Sequence, residues 1–98
     1  MTTAAEEPVS AQQIQTWLVE WVVEQTQIDP AKLRPSQRWE TYGIDSLQLV
    51  SLVGLLEDRL GCRFTSNPFV RHPTIVLLSH FIADQLAQGR TRIDPRHR

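Results

Sequence analysis

Gly43-Ile44-Asp45-Ser46-Leu47-Gln48-Leu49-Val50-Ser51-Leu52-Val53-Gly54-Leu55-Leu56-Glu57-Asp58-Arg59-Leu60-Gly61 holds a whole helix together with its start and stop signals. Asp45 is a good N-cap, and Gln48 three residues on completes a capping-box pattern, with Ser46 at the first helical position. Leu49, Val50, Leu52, Val53, Leu56 and Leu60 are assigned to the buried face, and Gly61 stops the helix. A tight turn at Gly43 precedes it. Ser46 thus offers a hydroxyl at a helix start, where a phosphate is easily accommodated, although most serines in a first turn are simply polar helix residues.

The flanking segments extend the helical reading in both directions. Upstream, Ser10 and Gln13 form a second capping box, with Val9 and Ile14 as a hydrophobic staple. Ile14, Trp17, Leu18, Trp21, Val22 and Gln25 then follow one helical face, which predicts a helix from about Ala11 to Thr26. Val19 and Val23 widen its apolar stripe. Pro30 disfavours helical geometry at Asp29, so a long connection runs from there to Gly43. Leu33, Trp39, Tyr42 and Ile44 supply it with apolar anchors, so the loop is expected to be ordered. Downstream, Asn67-Pro68 reads as the cap and first residue of a very short helix ended by Pro73. Thr74 caps the last helix, whose stripe is Ile75, Leu78, Phe81, Ile82 and Leu86, with Gly89 as its stop. No segment shows sustained strand alternation.

Length and composition restrict what such a helical chain does. Ninety-eight residues make one domain with a single small core, which disfavours an enzyme with a buried cleft between two domains. A net charge of −1 is not the electrostatic footprint of a nucleic-acid binder. No apolar run approaches the roughly 20 residues a membrane span needs, and residues 1–8 lack the features of a signal peptide, so a cytoplasmic protein is expected. Cys62, the one cysteine, excludes an intrachain disulfide and reads as an inert core residue. His72, His80 and His97 share no metal-ligand spacing and read as surface or helix-packing residues. Residues 1–8 are expected to be a flexible leader, 9–89 the folded domain and 90–98 a basic flexible tail. An acidic partner or RNA is the functional alternative for the tail.

Taken together, the Gly-x-Asp-Ser-Leu run opening the second helix, the leading Trp39 and Tyr42, and Pro73-Thr74-Ile75 resemble the acyl carrier protein family over roughly residues 9–88. The resemblance implies an all-α, four-helix bundle with three longer helices, a short third helix and a long ordered first loop. It implies 4′-phosphopantetheine on Ser46, placed there by a separate phosphopantetheinyl transferase, with Asp45 on the metal and phosphate side of the transfer. No catalytic residue and no resident metal are expected, so the chain is not an enzyme by itself. Acyl groups would ride on the arm as thioesters between a ketosynthase, an acyltransferase or an adenylating enzyme, and the carrier would be monomeric.

The second helix is that family's recognition surface, and here it departs from the densely acidic pattern of dissociated fatty-acid systems. Leu47, Gln48, Ser51, Leu55 and Asp58 are expected to face partners, with Gly54 and Glu57 beside them and Arg59 offsetting part of the charge. Apolar contact should therefore outweigh electrostatic steering. Gly43 to Leu47 looks more like acyl or aryl carriers than peptidyl ones, and Trp39 with Pro73 to Ile75 resembles polyketide-type domains. A discrete carrier of specialised metabolism is the favoured expectation. A peptidyl or aryl carrier of a nonribosomal peptide pathway, or an unmodified helical docking module, are the alternatives.

Overall fold

The computed structural model describes residues 9–95. The expected leader, 1–8, lies outside the described residues. Three helices carry the fold: α1 (Ala11–Thr26), α2 (Ser46–Leu60) and α3 (Ile75–Ala87). Both capping boxes form as the sequence predicts, Ser10 with Gln13 and Asp45 with Gln48. Each supplies partners for helix-start N–H groups that otherwise have none. At the other ends, Gly61 and Gly89 adopt the left-handed conformation (φ 65° and 79°) that closes a helix. Gln27 closes α1 in the same conformation at φ 63°, stabilised by its N–H bond to the Val23 carbonyl.

α1 packs along α3. Ile14, Leu18, Trp21 and Val22 from α1, Leu52 and Leu56 from α2, and Ile75, Leu78 and Ile82 from α3 make one core. α1 meets α2 at both ends of α2. The Gln48 side-chain amide donates to that of Gln25 at 3.4 Å, and the Arg59 guanidinium lies 4.8 Å over the Trp17 ring.

The long connection between α1 and α2 is ordered for reasons that can be traced bond by bond. It contains two short 3-10 turns, Pro30–Lys32 and Trp39–Tyr42. Its four apolar anchors, Leu33, Trp39, Tyr42 and Ile44, are all buried. Trp39 donates its backbone N–H to the Pro73 carbonyl (3.1 Å) and its indole N–H to that of His72 (3.3 Å). The indole also meets Phe69 and Tyr42 edge-on, with centroids 5.3 and 6.3 Å away. The Tyr42 hydroxyl donates to the Arg34 carbonyl, with the Gln37 carbonyl 3.2 Å away. Val76 N–H donates to the Pro35 carbonyl, and Arg38 bridges Thr74. The loop is thereby stitched to the start of α3, so it delivers Gly43 and Asp45 to α2 in a fixed position.

Two further segments complete the fold. Residues 68–71 form a hydrogen-bonded turn, closed by His72 N–H on the Pro68 carbonyl at 3.2 Å. Asn67 caps it by accepting from Phe69 N–H, and His72 stacks on Phe81 at 4.1 Å, the helix-packing role read for it. Residues 91–95, expected within a flexible tail, are folded. Arg92–Ile93 (β2) pairs in parallel with Arg63–Phe64 (β1), through Arg63 N–H to the Thr91 carbonyl and Thr65 N–H to the Ile93 carbonyl. Ile93 is fully buried, and this is the physical reason for the departure: one apolar side chain among arginines finds a place in the core. Residues 96–98 lie outside the described residues.

Cys62 is buried between these strands and α2, as the inert reading requires. Burial, with a smaller contribution from the Glu57 carboxylate, pushes its thiol up to about 11. At pH 8 roughly 0.1% of it is thiolate, against a much larger fraction for an ordinary cysteine. We expect alkylation of the folded chain at pH 8 to run at least about a hundredfold slower than of the chain in denaturant. Comparable rates in the two states would show that Cys62 is accessible.

Candidate functional site

The start of α2 is built by the loop before it. Gly43 turns the chain at φ 80° with its N–H on the Glu40 carbonyl (3.0 Å), a conformation that favours glycine. Ile44 then anchors in the core, and Asp45 enters the helix from extended backbone (φ −92°, ψ 173°). The Asp45 carboxylate accepts from Gln48 N–H at 2.8 Å, while the Gln48 side-chain oxygen accepts from Asp45 N–H at 3.0 Å. Ser46 is exposed at the first helical position.

Geometry at this helix start suits an anionic group on the Ser46 oxygen. The capping box uses the N–H groups of Asp45 and Gln48, whereas those of Ser46 and Leu47 meet no acceptor among the described residues. These free donors and the positive end of the α2 dipole converge where a phosphodiester on Ser46 would sit. Among the described residues no histidine belongs to this helix start: His72 and His80 lie in the segment before α3 and in α3 itself. No group of three or more histidine, cysteine or acidic side chains suited to a metal occurs among the described residues. The geometry leaves the Ser46 oxygen open to solvent, where a group could be attached.

Along α2 the structure sorts the expected partner-facing residues. Leu47 is 75% exposed and Leu55 45%, while Ser51 and Asp58 are also exposed. Gln48 is half-buried and occupied by Asp45 and Gln25, so its side chain is structural as well as peripheral. Glu57 is half-buried, accepting from Phe64 N–H at 2.9 Å. Val50, assigned to the buried face, is 66% exposed instead. Helical spacing explains the correction: Val50 is four residues from Ser46 and three from Leu47, both of which face solvent. Val70 (76% exposed) and Leu77 (49%) are further exposed apolar side chains on the turn before α3 and on α3 itself. Beside Val50, an open groove of about 250 Å³ runs between α2 and the 64–69 segment, lined by Val53, Phe64 and Phe69 and rimmed by Thr65, Ser66 and Asn67.

The chain is similar to known proteins in sequence and in fold. The model of a family described as the phosphopantetheine attachment site matches residues 16–82. A non-reducing polyketide synthase of Pseudevernia furfuracea is 25% identical over 77 residues, 79% of this chain and 4% of that protein. Another, of Cladonia grayi, is 28% identical over 69 residues, 70% of this chain and 3% of that protein. The chain therefore spans only a few per cent of the length of these relatives. Among solved structures, acyl carrier protein LipD from Actinoplanes friuliensis superposes with a TM-score of 0.69 at 27% identity, covering 90% of this chain and 97% of that one. A free-standing peptidyl carrier protein from Acinetobacter baumannii has the same fold, with a TM-score of 0.71 at 23% identity over 79% of this chain and 96% of that one.

Proposed function

The chain belongs to the phosphopantetheine attachment-site family, and from that premise we propose that Ser46 is the residue that carries 4′-phosphopantetheine. One observation supports this above the rest: an exposed serine at a capped helix start, with the N–H groups of Ser46 and Leu47 unengaged among the described residues. The arm supplies a terminal thiol that holds acyl groups as thioesters. The protein's own residues position and present it. Gly43, Ile44 and the Trp39–Tyr42 turn fix where α2 begins, and the Ser46 and Leu47 N–H groups would hold a phosphodiester formed on the Ser46 oxygen. Asp45 keeps the first turn closed, and its carboxylate would face the phosphates and metal of a phosphopantetheinyl transferase during the attachment. The turn at 68–71, capped by Asn67, takes the place of the short third helix in the four-helix plan.

In this reading the domain is a cytoplasmic, monomeric acyl carrier, not an enzyme, that delivers intermediates of polyketide or related specialised metabolism to a ketosynthase, acyltransferase or adenylating enzyme. The polyketide assignment draws on the Gly43–Leu47 and Pro73–Ile75 motifs and on the two synthases to which the chain is similar. Incubation with coenzyme A and a broad-specificity transferase, followed by acyl-coenzyme A and an acyltransferase, should add first one arm and then one acyl group by intact mass. A wild-type chain that takes up no arm under those conditions sinks the carrier function.

Partner contact is proposed along the exposed stripe of α2 that begins at Ser46. Leu47, Val50 and Leu55 give it an apolar centre, and Ser51, Gln48 and Asp58 a polar rim. We expect Val50→Asp to weaken docking to a ketosynthase by about tenfold, the usual cost of losing a central apolar contact. Wild-type affinity should change less than about threefold between 50 and 500 mM salt, because exposed charges contribute little to such a face. A steep loss with salt would instead mean that the acidic side chains dominate.

A further inference from the structure

The charge of this chain is polarised in a way the carrier function does not use. Residues 90–98 hold four arginines and one aspartate, a net +3, whereas residues 1–89 hold six basic and ten acidic side chains, a net −4. Folding gives part of that positive segment a surface. Arg92 is the register partner of Arg63, so the two exposed guanidinium groups leave one side of a two-stranded ribbon, while their neighbours Phe64 and Ile93 point inward. Neighbouring strands lie about 4.8 Å apart, and like charges placed side by side repel. Glu57 offsets Arg63 at 3.9 Å. Arg92 has no such partner among the described residues.

Its backbone is free as well. Thr91 and Ile93 turn their carbonyls towards β1, so alternation along the strand aims the N–H and C=O of Arg92 outward, and neither is paired among the described residues. The other edge is already closed, because the Phe64 N–H is taken by Glu57. A single open edge beside two in-register arginines matches an extended peptide that carries carboxylates on alternate residues. The backbone would add as a third strand, and the carboxylates would meet Arg92 and Arg63. The open backbone edge selects a peptide over a nucleic acid, which has no row of N–H and C=O groups to add to a sheet.

We propose that the outer edge of β2, with Arg63 and Arg92, is a second docking site for an extended acidic segment of a partner protein, at the end of α2 opposite Ser46. Two anchor points would let a carrier stay tethered while its arm visits different active sites, as linked weak contacts raise effective concentration. The proposal is independent of the attachment residue.

The test uses the full chain and a fluorescein-labelled alternating Glu-Val octapeptide, titrated in 50 mM salt. Saturable binding is expected, with none for the Lys-Val counterpart. Arg63→Gln with Arg92→Gln should weaken it about tenfold, as should methylating alternate peptide nitrogens. Arg92→Glu should shift preference towards the Lys-Val peptide, and thermal melts of both variants should match the wild type. Absence of saturable binding, or equal binding by the double variant, would overturn the proposal. Tighter binding of a uridine 12-mer, or of phosphatidylserine vesicles, would overturn it in favour of a nucleic acid or a membrane.

Discussion

Ser46→Ala should leave a chain that folds as before and takes up no phosphopantetheine. The two halves of this expectation have separate physical grounds. Ser46 is exposed at the first helical position, its side chain makes no hydrogen bond among those of the described residues, and the capping is done by Asp45 and Gln48. Replacing it therefore changes stability by no more than about 0.5 kcal/mol. Loss of the hydroxyl, in contrast, removes the only atom at the site able to form the phosphodiester, so the effect on loading is total. Asp45→Ala separates capping from attachment. It removes the N-cap and should cost about 1 kcal/mol in a denaturant melt while slowing loading instead of abolishing it. If Ser46→Ala still gained an arm, another residue would be the site.

Ile93→Ala should be among the most destabilising single changes, although it falls where the sequence resembles a tail. Ile93 is fully buried, and truncating an isoleucine in a packed core typically costs 2–5 kcal/mol. Against a domain stability of about 5–15 kcal/mol, that is a large share. For a domain of this size it corresponds to a fall in melting temperature of roughly 10 °C or more. Arg92→Ala, on the exposed side of the same strand, should change the melt by less than about 2 °C. Deleting residues 90–98 should cost at least as much as Ile93→Ala, because it removes that side chain together with the strand's backbone pairing to β1 and the buried Pro95. A deletion variant as stable as the full chain would mean that β2 is not part of the core.

The contrast between these two positions shows where the sequence was legible. Helices with caps announce themselves: Ser10, Asp45 and Thr74 each sit one residue before a helix, and each does accept from the backbone three residues on. The anchors of the long loop were readable too, since Leu33, Trp39, Tyr42 and Ile44 had no helical face to serve and were too apolar for solvent. Their partners were not readable. That Trp39 would bond His72 and Pro73 depends on chain segments more than thirty residues apart coming together. Val50 is apolar yet sits at a helical angle that faces solvent, so its residue type and its position point in opposite directions. β2 was missed because two residues carry no periodicity, and its one informative side chain, Ile93, lay among charges that suggested solvent.

The candidate site divides in the same way. Asp45 and Ser46 stand where their motif places them, because capping is a local interaction. Exposure along α2 needed the structure, since it depends on which side α1 and α3 cover. Ser51 and Leu55 are exposed as expected, Gln48 is half-buried and bonded to Gln25, and Val50 is exposed beside Leu47.

The most direct measurement of the central claim is to load the wild-type chain from coenzyme A with a phosphopantetheinyl transferase, digest it and fragment the modified peptide. The expected spectrum places a single phosphopantetheine on Ser46, with Thr41, Ser51 and Cys62 unmodified. A modification mapped to any of those residues, or a chain that remains unmodified, would contradict the assignment of Ser46 as the attachment point.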